Sequence, residues 1–177
     1  MKTIYRELNR IKAFIEEKLE EHTFMMAREP EEGEDDSSLD LVYPKVAIGN
    51  IPHANFSLYA DQAHMYQAPY ILVGYETADF EDDGETINIL IQACAYTQDV
   101  YDDESYVPDN MGTLDVTELL EALKLWFENE ADFPVEMPFT IGSYASRALT
   151  YPYAFGYLQF NLETGMGTSH QPRFYAG

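Results

Sequence analysis

An α+β fold, with an antiparallel or mixed β-sheet of about four to five strands and two main α-helices packed on one face, follows from three observations. Residues 3–22 place Ile4, Leu8, Ile11, Ile15 and Leu19 at steps of three or four, a single helical stripe. Residues 85–97 (ETINILIQACAYT) alternate: Ile87, Ile89, Ile91, Ala93 and Ala95 on one face, Asn88, Leu90, Gln92, Cys94 and Tyr96 on the other. The elements then succeed one another as α, β, β, β, α, β, β, which favours helices segregated to one side of a sheet.

The first helix is basic at its start, with Lys2, Arg6 and Arg10. It is acidic at its end, with Glu16, Glu17, Glu20 and Glu21. That order opposes the helix macrodipole, and it suggests that the basic end meets something acidic. Residues 27–43 (AREPEEGEDDSSLDLVY) read as an acidic loop insertion. Residues 43–51 alternate enough for a short strand, and 68–77 (APYILVGYET) for a longer one. DFEDDG then carries an Asp-Gly turn signal and joins that strand to 85–97 as a hairpin. Residues 98–112 form a second acidic loop. The second helix follows, with Asp115 as N-cap, Glu118 completing a capping box and Leu114 and Leu119 as a staple. Its buried stripe is Val116, Leu119, Leu120, Leu123, Trp126 and Phe127. MPFTIGSYAS and YPYAFGYLQFNLE read as the last two strands. The expected organisation is a single domain over 1–163 with the insertion at 27–43, followed by a flexible C-terminal tail at 164–177.

The chain has 177 residues, 46% hydrophobic and 14% aromatic, enough for one buried core. It carries 32 Asp and Glu against 10 Lys and Arg, a formal charge of −22. Half of those bases are Lys2, Arg6, Arg10, Lys12 and Lys18, and none lies between Lys45 and Lys124. A protein that grips nucleic acid needs cations to displace counterions from phosphates, so direct DNA binding is not expected. Solubility alone is the plainest use of such a surface. Cys94 is the single cysteine and sits in an apolar strand, as a buried inert thiol would. The N-terminus lacks the apolar run of a signal peptide, and no stretch is long and apolar enough to span a bilayer, so a cytoplasmic location is expected.

Sequence signals of chemistry are weak. Asp79, Glu81, Asp83 and Gly84 match the first half of an EF-hand loop, but the twelfth position is Leu90 and the eighth is Thr86. His53 and His64 stand apart from any partner pattern. No nucleophile elbow, zinc-protease helix, phosphate loop or dinucleotide fingerprint is present. Acid pairs such as Asp82–Asp83 and Asp102–Asp103 carry little information in so acidic a chain. No catalytic residue, metal or cofactor is therefore expected.

The succession YILVGYE, acidic hairpin, INILIQACAYTQD, a loop with Gly112 and Asp115, the helix VTELLEALKLWF and then YPYAFGYLQFNLE resembles the tail terminator, or tail completion, proteins of long-tailed bacteriophages. The likeness covers about residues 3–20 and 68–163. It implies a structural virion protein at the tail–neck junction, made in the host cytoplasm. The resemblance also implies a hexameric ring that sits on the major tail-tube protein, meets a neck or head-completion protein, and surrounds passing DNA without binding it. Candidate subunit or channel contacts are then Lys2, Arg6, Arg10, Asp79, Glu81, Asp82, Asp83, Asp102, Asp103 and Glu104. A different neck or head–tail connector role, or an acidic inhibitor or DNA mimic that binds a basic partner, remains open.

Overall fold

The computed structural model describes residues 2–34, 40–49, 67–81, 84–96, 100–102, 105–107, 111–143 and 152–164. The elements are α1 (Lys2–Glu21), β1 (Met26–Ala27), β2 (Leu41–Val42), β3 (Lys45–Ile48), β4 (Tyr70–Glu81), β5 (Gly84–Tyr96), β6 (Val100–Asp102), β7 (Ser105–Val107), α2 (Met111–Glu128), β8 (Val135–Ser143) and β9 (Tyr153–Thr164). The main sheet has five strands in the order β3-β4-β5-β9-β8. β3 runs parallel to β4 and every other pairing is antiparallel, so the sheet is mixed.

Both helices lie on one face. The alternation of β5 decides which: Ile87, Ile89, Ile91, Ala93 and Ala95 are buried in one core with Leu8, Ile11, Ile15 and Leu19 of α1 and Val116, Leu119, Leu120, Leu123 and Phe127 of α2. β9 contributes Leu158, Phe160 and Leu162, each paired across from an isoleucine of β5. Aromatic rings join the layers. Phe127 lies 5.0 Å from Phe14 and 4.9 Å from Phe160, so α1, α2 and β9 meet around one ring. Gly156 allows this approach: a Cβ there would stand 2.7 Å from Val116 Cγ1 and 2.9 Å from Leu120 Cδ1.

α1 ends in a Schellman motif: Phe24 N–H donates to the Leu19 carbonyl and Thr23 N–H to that of Glu20. Thr23 takes the left-handed conformation this requires, with φ of 51°. Phe24 then packs edge-on against Trp126, and His22 stacks on the same indole.

Several expectations change. Asp115 is not an N-cap, because α2 begins a turn earlier at Met111, and Leu114 is exposed rather than stapled. The stretch 27–43 is not loop throughout: β1 and β2 pair, Arg28 bonds Glu34, and Glu29 ties the arm to Ala68. The 98–112 stretch contributes the paired strands β6 and β7. The first hairpin strand does not end at residue 77. It runs to Glu81, which pairs with Gly84, so Asp79 and Glu81 belong to a strand and not to the turn. His53, His64 and the tail after Thr164 lie outside the described residues.

Candidate functional site

The basic end of α1 is built around a residue that the sequence reading missed. Glu7 lies on the buried side of the helix, its side chain only 2% exposed. Its two oxygens accept from Arg6 Nε at 3.0 Å and Arg10 Nη1 at 2.6 Å. Arg10 also donates from Nη2 to the Asp132 carbonyl at 3.2 Å and stacks over the Phe133 ring. The guanidiniums of Arg6 and Arg10 are thus fixed from below while their side chains stay 62% and 46% exposed. Lys2 opens the same helix. Glu7 stands next to Leu8 of the apolar stripe, but a glutamate there gives no signal of burial.

The opposite surface of the sheet is polar at its hairpin end. Thr77, Asn88 and Asn161 line up across β4, β5 and β9, with Glu136 of β8 next in the row. A second row holds Asp79, Thr86 and Glu163. The amides are chained: Asn88 Nδ2 donates to Asn161 Oδ1 at 2.8 Å, and Gln159 Nε2 donates to Asn88 Oδ1 at 2.6 Å and Glu76 Oε2 at 2.8 Å. Carboxylates stand around this amide floor. Glu163 is hydrogen-bonded to Glu136, and that contact with the charge beside it holds the Glu163 carboxyl above its usual range. Among the described residues no Lys or Arg pairs with Asp79, Glu81, Glu136 or Glu163.

A β-bulge puts the acids there. The β4–β5 register shifts between Tyr75 and Thr77. Before it, odd-numbered Ile71 and Val73 face the helices; after it, Ala78 pairs with Ile87 on that side. The extra residue, Glu76, flips the phase, so Asp79 and Glu81 point away from the helices. This geometry also answers the EF-hand resemblance. Asp79 and Glu81 project from a paired strand rather than converging inside a loop. No group of His, Cys, Asp or Glu among the described residues is arranged to hold a metal ion.

At the other end of this face Cys94 is buried against Tyr70, Ala68 and Leu72. Burial pushes its thiol up, away from the reactive thiolate, and pushes up the Tyr70 hydroxyl beside it. Tyr153 is raised chiefly by burial and by its neighbour Glu29, whose carboxylate also accepts the Ala68 N–H at 3.1 Å. These groups hold the β1–β2 arm to the sheet.

Of the expected contact residues, the structure brings Asp79 and Glu81 together on the outer face. It gathers Lys2, Arg6 and Arg10 on α1, on the other side of the sheet. Asp102 lies in β6, apart from both in sequence. Asp82, Asp83, Asp103 and Glu104 lie outside the described residues. No described helix is long and apolar enough to cross a membrane. No protein-family model matches the chain, and no curated protein matches it.

Proposed function

We propose that this chain is a structural protein of a long-tailed bacteriophage, a tail terminator that caps the tail tube as an oligomeric ring and offers the surface joining tail to head. One observation carries the reading: exposed bases on the helix layer, and acids on the outer sheet face that have no basic partner among the described residues, lie on opposite sides of one molecule. Unlike surfaces of this kind suit head-to-tail association, and head-to-tail contacts close into rings when the rotation permits. The order of elements along the chain supports the same reading. Acids left over around such a ring repel phosphate, so DNA slides past without sticking.

The test is electron microscopy of the purified protein mixed with tail tubes of the phage that encodes it. Rings seated on tube ends are expected. Tubes that stay uncapped, with a protein that remains monomeric at high concentration, overturn the proposal.

A further inference from the structure

We propose that Arg6 and Arg10, held by the buried carboxylate of Glu7, form a docking fork that grips the outer sheet face of a second copy of this chain. The inference rests on the ring reading and names the contact that would build the ring.

Glu7 is an expensive residue at a position where an aliphatic side chain would extend the stripe of α1, because a buried carboxylate is stabilised only by close partners. What it achieves is placement. Arg6 spends only Nε on Glu7 at 3.0 Å, and among the described residues its two Nη groups have no partner. Arg10 is pinned by Glu7, by the Asp132 carbonyl and by the ring of Phe133. Guanidiniums fixed before contact lose little freedom on binding, and their planar forks match carboxylates.

The occupant follows from charge and spacing. The chain carries −22, and its outer sheet face holds Asp79, Glu136 and Glu163 beside an amide floor. Residues one helical turn apart lie about 5–6 Å from each other. Glu163 of β9 stands diagonally from Glu136 of β8, two residues beyond its cross-strand partner Asn161, and their carboxyls are in hydrogen-bond contact, so together they offer one compact acceptor to two adjacent guanidiniums. Fork and face lie on opposite sides of the sheet. They cannot meet within one molecule, so each copy offers its fork to the next.

Two variants test this. The fork variant combines Arg6→Glu and Arg10→Glu with Glu7→Gln, which removes the buried charge so that the helix stays sound; Glu7→Gln alone is its control. The face variant combines Asp79→Lys, Glu136→Lys and Glu163→Lys. Thermal melts followed by circular dichroism confirm folding. Sedimentation equilibrium of the full chain at low salt should show each variant associating at least about tenfold more weakly than wild type. An equimolar mixture of the two should associate again, because each retains one intact surface for the other. Wild-type association by either variant, or a mixture that stays apart, overturns the fork. If wild type and fork variant both ring tail tubes, the fork fails and the ring reading stands. If wild type rings neither alone nor on tubes, both fail.

Discussion

Glu163 and Glu136 place two carboxyl groups in hydrogen-bond contact on an open strand face, and the consequence depends on pH. The folded Glu163 carboxyl sits above its ordinary value of 4.5. A carboxyl raised by folding adds stability below its unfolded value, and that contribution disappears as pH rises through the folded value. As pH rises through that folded value Glu163 loses its proton, and the hydrogen bond gives way to repulsion from the carboxyl beside it. Glu163→Gln should therefore raise the urea midpoint above that of wild type at neutral pH, and the gap should close as pH falls below 4.5. An equal gap at both ends of that range would show that the pair is not the cause. Gly156 gives a prediction of opposite sign. Gly156→Ala must push Val116 and Leu120 away from the sheet, since its Cβ falls 2.7 Å and 2.9 Å from them. A loss of about 1–3 kcal/mol in denaturant unfolding is expected for such overpacking.

The elements show where the sequence spoke and where it was silent. The stripe of α1, the stripe of α2 and the two faces of β5 were legible, because each is a simple period of one kind of residue. The start of α2 was misread, since the Asp115 and Glu118 pattern fits a cap but the helix already runs from Met111. The bulge in β4 was invisible. Tyr75, Glu76 and Thr77 look like any exposed strand end, and only the pairing with β5 shows that one residue is extra. Deleting Glu76 should remove the bulge and leave Thr77, Ala78 and Asp79 opposite Asn88, Ile87 and Thr86, with Asp79 still facing away from the helices. It also removes the acceptor of Gln159. Glu76→Ala removes the same acceptor and also keeps the register, so the two changes should cost about the same, no more than about 1–3 kcal/mol. A clearly larger cost for the deletion would mean that the bulge itself, and not only the hydrogen bond, is needed. Glu7 was hidden for another reason: burial of a charged side chain depends on what packs beside it, here Arg6, Arg10 and the Phe133 loop, and not on its own spacing.

At the scale of the whole molecule the sequence revealed the size of the charge but not its arrangement. The helix layer carries the basic fork among acids of both helices, the far face of the sheet carries Asp79, Glu81, Glu136 and Glu163, and five strands separate the two. A surface used only for solubility would tolerate neutralisation without consequence, and a surface that meets a copy of the same chain would not. Changing Asp79, Glu81, Asp82 and Asp83 to Asn or Gln removes four charges from this stretch. The described pair, Asp79 and Glu81, is exposed. Unfolding free energy should therefore stay within about 0.5 kcal/mol of wild type. Self-association, followed by light scattering across a salt series, should fall and lose part of its salt dependence, since fewer charges remain to be screened. Neutralisation that leaves both stability and association untouched would assign these acids to solubility, and the docking surface would then be confined to Glu136 and Glu163.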